Sequence, residues 1–216
     1  MTTNHIVADE TVVRSKLRVK SFGEVLTPHH MVDRMLDLVS AELETGDGFV
    51  DSTFFEPAAG DGNFLTAVLR RKLNAIEQRY PREEWPLASL RAVASIYGVE
   101  LLEDNHQEAQ TKMLSVFTGF LRGHGIRCGS NTNLFRAAAF LVGTNIACGN
   151  TLTGKTHKGE EIVLSWWDRV DGQSGMVQRR PFTLASLMHD GFDFTGYETF
   201  APCMISKVHM EARIDA

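Results

Sequence analysis

Apolar positions along the chain switch between helical and extended spacing, and each switch marks an element. Thr27-Pro28 opens a first helix, with threonine as N-cap and proline in the first turn. Met31, Met35, Leu38 and Val39 follow at helical spacing, Leu43 extends the stripe, and Gly46-Asp47-Gly48 ends it. Ser52 to Glu56 is a short strand that breaks into Pro57-Ala58-Ala59-Gly60-Asp61-Gly62. A second helix follows, with Phe64, Leu65, Val68, Leu69, Leu73 and Ile76 on its apolar face. Pro81 and Pro86 mark a surface excursion, and Val93 to Glu100 reads as a second strand. Asp104 to Leu121 is a third helix, with Ala109, Met113, Phe117 and Leu121 in phase. Leu134 to Val142 is helical, Asn145 to Cys148 a third strand, and Ile162 to Trp167 a fourth. Beyond Asp168 the pattern weakens.

Strands alternating with helices predict an α/β fold, a mainly parallel sheet flanked by helices. Residues 1–21 read as an N-terminal arm, loosely docked or flexible, and 22–216 as one domain. The composition is that of an ordinary globular domain, and no apolar run approaches the roughly 18–20 residues of a membrane span. The polar start, Met1 to Glu10, has no apolar core of the kind a secretory signal carries. Three separated cysteines, Cys128, Cys148 and Cys203, form neither a disulfide framework nor a paired zinc spacing, which fits a reducing cytoplasm. The net charge of −5 argues against tight, independent binding to DNA. Basic residues cluster only locally, as at Arg70-Arg71-Lys72, which reads as a solvated face. No two histidines stand three or four apart, so no metal is expected.

Candidate chemistry gathers where strands end. In Glu56-Pro57-Ala58-Ala59-Gly60-Asp61-Gly62-Asn63-Phe64-Leu65 a strand hands over to a helix, and glycines there let the backbone turn tightly and approach a ligand. Glu100, closing the second strand and followed by Leu101, has the position from which an acid accepts hydrogen bonds from both hydroxyls of a ribose. Past the third strand, Gly149-Asn150-Thr151-Leu152 offers a polar side chain for an adenine amino group and a leucine for the ring face; it reads equally well as an asparagine turn. Gly23-Glu24-Val25-Leu26-Thr27-Pro28 precedes the first helix.

These four segments, in this order, resemble the DNA methyltransferases that modify the exocyclic amino group of adenine, including modification subunits of restriction systems. The resemblance runs from about Phe22 to Leu152. It matches a Gly-x-x-x-Thr-Pro segment at Gly23, Thr27 and Pro28, and the cofactor loop at Glu56, Ala58, Gly60, Gly62, Asn63, Phe64 and Leu65. It also matches the ribose acid at Glu100 and a Gly-Asp-x-Leu adenine contact at Gly149, Asn150 and Leu152, with asparagine in place of aspartate. It implies a SAM-methyltransferase-like, Rossmann-like fold with S-adenosylmethionine (SAM) as cofactor and DNA as substrate.

The family's catalytic Asn/Asp-Pro-Pro-Tyr/Phe segment has no counterpart, since none of the six prolines follows Asn or Asp. The nearest substitute by position is Ser165-Trp166-Trp167-Asp168, which reads first as a packed strand end and second as a replacement, with Asp168 as acceptor and Trp166 or Trp167 as stacking platform. Two functions therefore stand side by side: an adenine-N6 DNA methyltransferase or a subunit or fragment of one, and an inactive SAM- or nucleoside-binding protein that regulates or complements a second chain.

Overall fold

Three short strands run in the same direction in one sheet because the first two are each followed by a loop and by helices that return the chain to the opposite edge. A computed structural model of the protein describes residues 13–188 and 199–214. The first part of the arm, residues 1–12, lies outside the described residues. In chain order the first elements are α1 (Lys16–Phe22), α2 (His29–Asp37), β1 (Phe54–Glu56), α3 (Asn63–Arg79), α4 (Trp85–Ala94) and β2 (Ile96–Glu100). They are followed by α5 (Glu103–Gly123), α6 (Asn133–Asn145) and β3 (Ile146–Cys148). The strands pair in parallel in the order β1-β2-β3, with Phe55 opposite Tyr97 and Val99 opposite Ala147. The order runs one way across the sheet, so right-handed crossovers bring α3 to α6 onto a single face. There α3 packs on α4 and α5, and α6 on α4 and α5.

The periodicity argument holds best for the helices with one apolar stripe. Ala109, Met113, Phe117 and Leu121 of α5 are all buried, as are Leu65, Val68, Leu69, Leu73 and Ile76 of α3. Ile96 and Ile146 meet this helical layer, while Tyr97 and Val99 point to the other face. That second face is covered by an antiparallel hairpin of β4 (Val163–Arg169) and β5 (Met176–Thr183). Ile162, Leu164, Phe182 and Leu184 pack on Tyr97 and Val99, and the Tyr97 hydroxyl donates to the Ser165 carbonyl at 3.0 Å. Three two-residue strands, β6 (Thr199–Phe200), β7 (Cys203–Met204) and β8 (Arg213–Ile214), complete the described strands. The fold is thus mixed α/β, with a small parallel sheet and two antiparallel sheets, β4-β5-β7 and β6-β8.

Several expectations are corrected. The Pro81–Pro86 region is a surface excursion only over residues 81–84, which are exposed; Pro86 sits in the first turn of α4, where its missing N–H costs nothing. Val93 and Ala94 belong to that helix, and the strand starts at Ile96. Helix α4 is buried on nearly every side, which blurs its period. In α2 the buried residues are Val32 and Leu36, whereas Met31, Met35 and Leu38 are exposed. Thr27 is not the N-cap; Pro28 is, its carbonyl accepting from Met31 and Val32. Ile162 to Trp167 is extended as expected but pairs antiparallel, outside the parallel sheet. The boundary drawn at residue 21 falls inside α1, which is held by Arg18 to Glu24 and Asp104 and by Arg14 to Glu108.

Lys72 is the largest departure from a solvated basic face. It is fully buried, and its ammonium donates to the carbonyls of Val50 (3.2 Å) and Ser52 (2.5 Å) and to Ser95 Oγ (2.7 Å). Three donors meet three acceptors, and the cross-link sets the segment that feeds β1 against the end of α4. Burial pulls the Lys72 ammonium down to about 7, with Asp51 opposing. In the unfolded chain a lysine keeps its proton to about 10.4. Between these values the unfolded state binds more protons, so this residue makes stability rise with pH, by at most about 1.4 kcal/mol per unit. Urea denaturation of wild type and Lys72→Met should therefore give a stability difference that shifts toward wild type from about pH 7 to about pH 9. A difference that stays constant over that range contradicts a titrating, buried Lys72.

Candidate functional site

The carboxyl ends of β1, β2 and β3 are Glu56, Glu100 and Cys148, and the loops after them close around a cavity of about 290 Å³. Its walls come from four segments: Phe22 to Leu26, Pro57 to Gly60, Glu100 to Leu102 with Asn105, and Gly149 to Leu152. A cleft at this edge of a parallel sheet is where α/β proteins bind ligands. Of the residues singled out in the sequence, Ala58, Gly60, Glu100, Leu101, Asn150 and Leu152 line it, together with Gly23 and Gly149.

Glu100 organises the floor. The residue is buried; one carboxylate oxygen accepts from the Gly60 N–H at 2.7 Å and the other from the Leu102 N–H at 2.8 Å. A carboxylate has about four acceptor positions, so two remain for donors from a ligand. Gly60 adopts a positive φ of 55°, and a side chain there would press on Leu26. Asn150 forms an asparagine turn: its Oδ1 accepts from the Leu152 N–H at 2.9 Å, and Thr151 Oγ donates to the Pro57 carbonyl. The turn shapes the wall and leaves Leu152 almost fully exposed.

The remaining candidates brace the cavity without lining it. Asn63 donates from its amide to the Thr27 carbonyl at 3.2 Å, tying the segment before α2 to the start of α3. Pro28 caps α2 beside it. Glu56 turns back to accept from the Ala58 N–H at 3.2 Å, and burial pushes its carboxyl up despite that bond. Phe64 is half-buried against the core. Gly62, at φ 88°, lets α3 begin against α5: an added Cβ would lie 2.9 Å from the Ala109 Cα.

Two features were not singled out in the sequence. Asn105 is fully buried and borders the cavity; its amide donates to Glu24 at 2.7 Å, and its Oδ1 is buried with no hydrogen-bond partner. Its position in the first turn of α5, just past Glu100 at the end of β2, is the signal. Glu24 is the second. Burial raises its carboxyl, but hydrogen bonds from Arg18 and Asn105 outweigh this and hold it below the ordinary range.

Asp168, Trp166 and Trp167 do not join the site. Trp166 and Trp167 line a separate cleft with Thr53 and Ser95, the residues just before β1 and β2. Ser95 and Glu100 stand at opposite ends of β2, roughly 16 Å apart at 3.3 Å per residue. Trp166 stacks on Tyr97 at 9° between planes, Trp167 donates to Asn145 Oδ1 at 3.0 Å, and Asp168 pairs with Arg180. These are packing roles, and the strand-end reading of this segment is the one its geometry fits.

No protein-family model matches the chain, and comparison with characterised proteins and with solved structures gives no match.

Gly62→Ala should cost about 2–4 kcal/mol, combining left-handed backbone strain with contact on the Ala109 backbone. Gly125, at φ 73°, has nothing within 4 Å of an added Cβ. Gly125→Ala should thus lose only the strain, about 1–2 kcal/mol. Equal losses in thermal or urea denaturation would remove the close approach of α3 and α5 from the account.

Proposed function

We propose that this chain is a SAM-binding domain of the DNA adenine-N6 methyltransferase type, one that holds the cofactor and depends on a catalytic loop from elsewhere for methyl transfer. The observation that carries the reading is the meeting of four sequence-distant segments, each matched to a family motif, around a single cavity at the carboxyl edge of a parallel sheet. In this reading the ribose hydroxyls donate to Glu100, the Ala58–Gly60 backbone runs alongside the cofactor, and the asparagine turn at Asn150 presents Leu152 to the adenine ring. The parallel order β1-β2-β3, with its helices on one face, supports the reading, because one mononucleotide-binding half of a SAM-methyltransferase-like, Rossmann-like sheet has the same arrangement.

Binding without transfer is favoured over a complete enzyme by two facts. No Asn/Asp-Pro-Pro-aromatic segment exists, and the acid and tryptophans nearest to it in order lie at the wrong end of the sheet. The adenine amine is a weak nucleophile, and each hydrogen bond that positions it is worth a factor of about 100–1,000. A second protein chain bringing the loop, with DNA as the eventual partner, completes the proposal; the chain's own net charge of −5 gives it little grip on phosphates.

Isothermal titration with S-adenosylhomocysteine should show saturable binding to wild type. Glu100→Gln should weaken it about tenfold or more, because the charge-assisted ribose contact is lost and the new amide nitrogen faces the N–H of Gly60 or Leu102 in place of an acceptor oxygen. Asn150→Ala should cost less, since its oxygen is already engaged by the turn. No saturable heat at millimolar ligand sinks the proposal, and a larger loss for Asn150→Ala than for Glu100→Gln removes the ribose assignment.

With labelled SAM and unmethylated DNA, the chain alone should transfer no methyl group above background. Robust transfer would show that the catalytic groups lie within this chain and that the loop is not borrowed.

A further inference from the structure

Beside the cavity, three potential ligands converge from two elements. Glu103, His106 and Cys148 bring a carboxylate oxygen, an imidazole nitrogen and a thiol sulfur within 4.8 Å of one another. Glu103 and His106 are three residues apart at the start of α5, so both lie on one face of the helix. Cys148 ends β3, which packs on α5.

The imidazole determines what the cluster can do. Nε2 lies 2.8 Å from the Ile146 carbonyl oxygen, which can only accept, so Nε2 carries the proton. The Gln110 amide donates to the same carbonyl at 3.0 Å, and its 2.9 Å approach to Nε2 follows from two donors sharing one acceptor. The lone pair is therefore on Nδ1, which is buried and has no hydrogen-bond partner. An unpaired buried acceptor is costly to keep. A ring that donates to a backbone carbonyl from one nitrogen and keeps the other free is oriented as metal-binding histidines are. Burial, then Glu103 and Glu100, push the Cys148 thiol up to about 12.

We propose that Glu103, His106 and Cys148 bind a single divalent transition-metal ion of the zinc class, with the fourth position open to solvent. One oxygen, one nitrogen and one sulfur suit a borderline ion and not a hard one such as magnesium or calcium, which takes oxygen ligands. Tetrahedral ligands at zinc bond lengths stand about 3.3–3.6 Å apart, so from separations within 4.8 Å each pair closes by at most about 1.5 Å. On binding, the Cys148 S–H bond breaks, its proton leaves to solvent, and the sulfur bonds the ion as thiolate. Glu103 follows Leu101-Leu102, and Cys148 precedes Gly149-Asn150. The ion thus joins two walls of the cavity and fixes their spacing, whether or not that cavity holds a nucleoside.

The test uses the full chain stripped of metal, titrated with zinc against a chromogenic chelator and with cobalt followed by absorption. One equivalent should bind, and cobalt should give the near-ultraviolet charge-transfer band of a thiolate ligand. Cys148→Ser should abolish the band and weaken zinc binding about 100-fold or more, whereas Cys128→Ser and Cys203→Ser should change neither. Glu103→Gln, at an exposed position that leaves the fold intact, should weaken zinc binding about tenfold or more. It keeps the test decisive if Cys148→Ser fails to fold. The proposal is overturned by zero stoichiometry, by a thiolate band that survives Cys148→Ser, or by zinc affinity unchanged in Glu103→Gln.

Discussion

All three loops at the working edge of the sheet are tied to Glu100. Its carboxylate takes the Gly60 N–H of the first loop and the Leu102 N–H that leads into α5, and its backbone carbonyl takes the Gly149 N–H of the third loop at 2.9 Å. A buried carboxylate must be satisfied by donors, and here the donors are the backbones whose positions define the cavity. The short strands could not set these loops alone, because β1 and β3 each contribute three residues. The acid that the sequence offers as a ligand contact is also the piece that assembles the site.

The second constraint is coverage of the sheet. Strands laid down in one direction put their helices on one face, which leaves Tyr97 and Val99 facing out on the other. The hairpin β4–β5 supplies the missing layer, and this explains the two tryptophans. Trp166 stacks on Tyr97, and Trp167 reaches over the end of α6 to Asn145 and Phe140. Arg179 spans the same region, donating to Ser165 Oγ and pairing with Glu211. The segment from Ser165 to Asp168 is occupied with closing the core.

The arm is a working part of the architecture. Its helix α1 buries none of its residues, yet Arg14 and Arg18 pair with acids on α5 and with Glu24, and Phe22-Gly23 then form one wall of the cavity. Exposed ion pairs of this kind contribute little each, so the contact is a network that positions a wall more than one that stabilises the fold. Glu24 is the exception, since its side chain is buried and bonded by both Arg18 and Asn105.

Sequence alone determined the elements whose apolar stripe is single and long, α3 and α5, and the strand-loop-helix transition at Glu56 to Leu65. Local spacing and glycine chemistry suffice for these. It also singled out the residues that line the cavity at Ala58, Gly60, Glu100, Leu101, Asn150 and Leu152, because each ends or follows a strand. It missed α4, whose burial on all sides erases the period, and misphased α2, where two apolar stripes compete and only packing chooses Val32 and Leu36. Tertiary structure decided everything that depends on residues far apart in the chain. It sent Lys72 inward to three oxygens, used the Asn150 oxygen in a turn, put Trp166, Trp167 and Asp168 at the far end of the sheet, and joined Glu103-x-x-His106 to Cys148. Spacing along one helix or strand reports which side chains share a face; only the order of strands in a sheet reports which faces meet.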